Sequence, residues 1–123
     1  MSKKADKRLA EDLLRLFCIR DDTYTEQQKD GSHIRQDAPV TPELIHKHLH
    51  GGKTIGMYQV QPVTNLVGWL CFDVDEQHHK NPGDVAKRAL DPLTDFPSES
   101  VLLEASRYPA PSFHVWIFFD PPV

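Results

Sequence analysis

Asp73 and Asp75 stand two residues apart at the end of an apolar run, Val67 to Val74. In a strand, residues i and i+2 point to the same face, so this spacing turns both carboxylates toward one spot. Two like charges held so close repel, and one is driven to take up a proton unless a cation lies between them. Hard oxygen donors, few in number and leaving open positions for phosphate oxygens, suit Mg2+ or Mn2+. The chemistry of such a site is activation of a hydroxyl and neutralisation of charge on a triphosphate.

The pair alone leaves other readings open. A solvated strand end, where the chain returns to water, has the same residues. Haloacid-dehalogenase-type phosphatases open on Asp-x-Asp, but there a Thr or Val follows one position later, near the N-terminus. Here Glu76-Gln77 follows, in mid-chain. Glycosyltransferases also use such a pair, and another metal-dependent phosphotransfer enzyme fits the spacing equally well. Glu76 adjoins the pair but points to the opposite face if the strand persists.

A second group of polar residues lies downstream. Glu104-Ala105-Ser106-Arg107 leads into a loop, and Ser112-Phe113-His114 opens the apolar run Val115-Trp116-Ile117-Phe118-Phe119. Ser112 and His114 share a face by the same two-residue rule. His114 can donate to a phosphate oxygen or act as an acid. Arg107 offers a planar fork suited to phosphate, and the Ser112 hydroxyl adds a further donor. Each residue alone has an ordinary explanation, in the core for the histidine and on the surface for the arginine. Together they supply three donors for a triphosphate opposite a metal pair.

Several histidines fall outside this scheme. His46 and His50 are one helical turn apart, a spacing that can grip zinc, but no cysteine or acidic residue adjoins them in sequence. His48, between them, faces the apolar side. His78-His79 sits in a polar loop. Asp120, after the last apolar run, is too far along the strand from His114 to join the acidic pair.

The elements that must position these residues follow from periodicity and punctuation. Leu9, Leu13, Leu16 and Phe17 recur at helical spacing, predicting an amphipathic helix from about Asp6 to Phe17. Arg20 to Pro39 is polar and rich in turn formers, and reads as a long irregular connection. Thr41-Pro42-Glu43 starts a second helix, with Leu44, Ile45, His48 and Leu49 on one face and Gly51-Gly52 as the stop. Thr54 to Val60 reads as a strand. Val67 to Val74 is apolar enough for a central strand covered on both faces. Asn81-Pro82 opens a third helix through about Leu90, and Val101 to Ala105 and Phe113 to Phe119 are two more strands.

The fold class expected is α+β, with helices packed on one small mixed or antiparallel sheet. The expected organisation is a single partial domain over residues 1–123, with an N-terminal helix over 1–19 and an α/β module over 40–123. The length, 123 residues, suits one domain or part of one, and 39% apolar content with 26% charge marks a folded chain. A net charge of −4 excludes holding nucleic acid by bulk electrostatics, so any such contact is local. Cys18 and Cys71 lie in apolar runs and read as free thiols of a reducing compartment. No apolar stretch reaches the length of a membrane span, and a cytoplasmic location is expected.

The ordered segments Phe17 to Tyr24, His48-Leu49-His50-Gly51, Ile55-Gly56-Met57-Tyr58, Trp69 to Asp75, Glu104 to Arg107 and His114 to Phe119 carry a resemblance. Together they resemble the primase domain of TOTE conflict systems, a branch of the archaeo-eukaryotic primase (primase-polymerase) superfamily, in its N-terminal part. The resemblance implies a metal motif at Asp73 and Asp75, and a Ser-x-His motif at Ser112 and His114 that contacts the incoming nucleotide. Catalysis would then rest on Asp73, Asp75 and His114, with Arg107, Ser112 and His114 gripping the triphosphate. The implied reaction is two-metal nucleotidyl transfer on a DNA or RNA template, with Mg2+ or Mn2+ as cofactor. A helicase or a second primase module is the partner the resemblance implies, the latter carrying a further acidic residue that this sequence ends before reaching. A remnant that binds nucleotide or nucleic acid without catalysis is the alternative. One departure stands out. The family has a glycine-rich turn after Ser-Arg, whereas this chain reads Tyr108-Pro109-Ala110-Pro111, and prolines lack the amide donors of a phosphate cradle.

Overall fold

The computed structural model describes residues 3–123, as an α+β chain of three α-helices and two three-stranded antiparallel sheets. It divides into two compact units, one reaching to Gly68 and including Pro122–Val123, the other Trp69–Pro121. Among the described residues, no helix is long and apolar enough to cross a membrane.

In the first unit, helix α1 (Lys3–Phe17) carries Asp6 in its first turn and Arg15 in its last, each favoured by the helix dipole. Its deepest residue is Ala10, 1% exposed, with Leu13 and Leu14 packed beside it. Leu9 and Leu16 of the predicted stripe are instead exposed. Helix α2 (Pro42–Leu49) begins as its sequence predicts, with the Thr41 hydroxyl accepting from the Leu44 amide at 3.2 Å. It ends in a paired hydrogen-bond stop. Gly51, at φ +73°, donates to the His48 carbonyl, and Gly52 donates to the Lys47 carbonyl.

The predicted irregular connection over Arg20–Pro39 proves to hold a hairpin. Strands β1 (Tyr24–Gln27) and β2 (His33–Gln36) pair antiparallel, and β3 (Ile55–Met57) adds to the other edge of β1. The hairpin escapes a hydropathy reading because β2 is largely exposed and polar, with Ile34 its one apolar residue and that 51% exposed. Backbone pairing and the Asp30–Ser32 turn hold it instead, with Asp30 accepting from both the Ser32 amide and hydroxyl. The core of this unit is Ala10, Tyr24, Val40, Leu44, Ile45 and Ile55.

In the second unit, strands β4 (Trp69–Val74), β5 (Val101–Ala105) and β6 (Phe113–Phe118) form a sheet of order β4-β6-β5. Helix α3 (Pro82–Leu90) follows Asn81 as expected. It packs Ala86 against Val74 and Val115 on one face of the sheet. The run Val67–Val74 therefore supplies an edge strand, not the central strand predicted. The central strand is β6, where Val115 and Ile117 are buried, while Leu70 and Phe72 on β4 stay exposed. Both runs are strongly apolar in sequence. Pairing alone, which hydropathy does not encode, decides which lies in the middle.

Candidate active site

The second sheet has one face turned to α3 and another that carries the polar residues. Directly opposite residues in an antiparallel pair share a face. Asp73 faces His114, and Glu104 faces His114 from the other side, so the three form one row across β4, β6 and β5. The next row is Cys71, Trp116 and Leu102.

His114 is held within the first row. Its Nδ1 lies 2.5 Å from Glu104 Oε1, and its Nε2 lies 3.5 Å from Asp73 Oδ1. An ionised carboxylate only accepts, so Nδ1 carries the proton and donates to Glu104. Trp116 Nε1 donates to the same Glu104 oxygen at 3.4 Å and sets its ring edge-on to His114. Glu104 is thus the positioning residue of the imidazole. In sequence Glu104 is only the first residue of the Glu-Ala-Ser-Arg segment, with nothing local to mark its role. The hairpin register that places it opposite His114 across a seven-residue loop was its only signal.

Asp73 and Asp75 differ in setting. The Asp73 side chain is 70% exposed and that of Asp75 18%. Asp75 lies one residue past β4, where its Oδ1 accepts from the Gln77 amide at 3.1 Å and closes a local turn. Its Oδ2 faces Arg107 Nη1 at 3.6 Å. Arg107 therefore reaches the acidic group from the β5–β6 loop, which includes a cis Tyr108–Pro109 bond.

Ser112 takes a different place from the other donors. It is 1% exposed, and its hydroxyl accepts from the Glu76 amide at 3.1 Å. Its own carbonyl accepts from Ser106 at 3.0 Å. Ser112 thereby joins the exit of β4 to the entry of β6. Ser112→Ala removes that acceptor from a part-buried bond of the Glu76 amide, a loss of roughly 0.5–1.5 kcal/mol. Urea unfolding of the variant measures this. A loss below about 0.5 kcal/mol would mean that the amide finds another partner.

The donor set fits a hard divalent cation. Its oxygens are carboxylate oxygens: Asp73 is exposed and held only by a long contact with His114, while Asp75 is engaged by the Gln77 amide and Arg107. The surrounding field is negative. Burial first, and then the charges of Asp73 and Glu104, push the neighbouring Cys71 thiol up to about 11. Among the described residues, no third Asp, Glu, His or Cys closes on Asp73 and Asp75 to complete a three-ligand cluster.

The profile of the TOTE conflict system, Archaeo-Eukaryotic Primase domain matches residues 12–123. The chain belongs to that family, whose members are primase-like nucleotidyltransferases acting on nucleotides and nucleic acid. A search of curated proteins finds no match.

Proposed function

We propose that the chain is a nucleotide-handling module of a template-directed nucleotidyltransferase, acting on nucleoside triphosphates with DNA or RNA as template. The observation that carries the reading is the Asp73–His114–Glu104 row, in a chain of this family. Asp73 and Asp75 would hold Mg2+ or Mn2+, which when bound supplies hydroxyl activation and charge neutralisation on the triphosphate. Glu104 accepts from His114 Nδ1 and leaves Nε2 on the side of Asp73; as an imidazolium, His114 donates from Nε2 to a phosphate oxygen. Arg107, with a side chain 59% exposed, is bound to Asp75 only by a long contact. It exchanges that partner for the triphosphate, whose paired oxygens match the guanidinium fork. Ser112 serves from beneath, pinning the segments that carry Asp75 and His114.

A second reading is a nucleotide-binding module without catalysis. It is favoured by the lack, among the described residues, of a third ligand beside Asp73 and Asp75. Under the first reading, the family's further acidic residue would come from another module.

Thermal unfolding with a nucleoside triphosphate and Mn2+ tests the site. Ligand at about 100 times its dissociation constant adds roughly 2.7 kcal/mol to stability. No metal-dependent shift in a well-folded chain overturns the nucleotide site. A shift without primer extension selects the binding-only reading.

A further inference from the structure

We propose that Asp6, His46 and His50 form a second metal site, in the first unit, selective for Zn2+-class transition ions. The sequence shows only the histidine pair. Folding supplies the missing acidic partner by bringing the first turn of α1 against α2. One donor atom from each of the three residues lies within 4.8 Å of the others. His50 Nε2 is 3.6 Å from Asp6 Oδ2, and the two imidazole rings have centroids 4.3 Å apart. Donors around a tetrahedral ion with bonds of about 2.0–2.1 Å are spaced about 3.3–3.4 Å apart. The donors therefore need to close by at most about 1.5 Å, within reach of side-chain rotation.

The backbone fixes the two histidines in register. They are one turn apart on α2, and the Gly51-Gly52 stop holds His50 at the C-cap. His48 is excluded from the set, because its Nδ1 accepts from the Ile55 amide at 3.3 Å. Two imidazoles and one carboxylate leave a fourth tetrahedral position open to solvent. Imidazole donors favour Zn2+, Ni2+ or Cu2+ over Mg2+, so this site differs in ion class from the Asp73–Asp75 pair. The competing explanation is a plain His50–Asp6 ion pair tying α1 to α2, which predicts no metal effect.

The test is calorimetric titration of the tag-free, chelator-stripped chain with Zn2+, paired with thermal unfolding. Zn2+ is expected to bind this site and raise the melting temperature. His46→Ala, His50→Ala and Asp6→Asn should each weaken that binding by more than the roughly 10–100-fold that loss of an outer-sphere partner costs. Asp73→Asn/Asp75→Asn should leave it unchanged, and excess Mg2+ should not displace it. His46→Gln replaces His46→Ala if the alanine variant is not folded by circular dichroism. No Zn2+ binding in the wild type, or undiminished binding in the histidine variants, overturns the proposal.

Discussion

In the Asp73→Asn/Asp75→Asn variant, metal-dependent stabilisation by a nucleoside triphosphate is expected to vanish. Any templated extension should fall by at least about 100-fold, the loss that follows removal of one preorganised electrostatic stabiliser. The amides keep the shape of the carboxylates but remove the charge that draws a cation. The fold should survive. Asp73 is exposed, and an Asn at position 75 retains the side-chain oxygen that accepts from the Gln77 amide. Melting of the unliganded variant should therefore move by no more than about 0.5 kcal/mol. Thermal scans with and without Mn2+ and nucleotide separate the two effects. A ligand shift that persists in the variant would place the nucleotide elsewhere on the chain.

Ile45→Ala should have the largest effect on stability. Ile45 is 1% exposed in the core formed with Ala10, Tyr24, Leu44 and Ile55. Truncating such a side chain costs about 2–5 kcal/mol, because the transfer energy is lost and a cavity remains. Domains of ordinary stability hold about 5–15 kcal/mol in total. Each 1 kcal/mol shifts the midpoint by roughly 4–8 °C in a small domain. A fall of about 10 °C or more is expected, read by circular dichroism on heating. A fall under about 4 °C would mean that the core closes over the gap.

The two variants probe features that were unequally visible in the sequence. Thr41-Pro42 and Gly51-Gly52 announced α2 because caps act through their immediate neighbours, and Val101–Ala105 was legible as a short apolar run between turn formers. Pairing was not legible. Nothing local marks β4 as an edge and β6 as the centre, and the polar strands β1 and β2 offered no apolar alternation to read.

The same division runs through the candidate site. Asp73, Asp75, Arg107, Ser112 and His114 were named by residue type and spacing. Glu104 needed the β5–β6 register, and Asp6 needed the packing of α1 on α2, some forty positions from His46. Ser112 was legible as a residue, whereas its burial under the Glu76 amide depends on a bond spanning 36 positions.

That bond bears on the loop it closes. Ser106 and Ser112 are bonded to each other, and Ser112 is bonded again to Glu76, just past the end of β4. The segment between them is therefore clamped at both ends and tied within by the Ala110 amide on the Arg107 carbonyl, with Tyr108 at its tip 86% exposed. A proline-containing tip can replace a glycine-rich one without disturbing the row across the sheet. The exposed tip can thus change while the row stays in place, much as one changes the tool in a chuck while the spindle stays aligned.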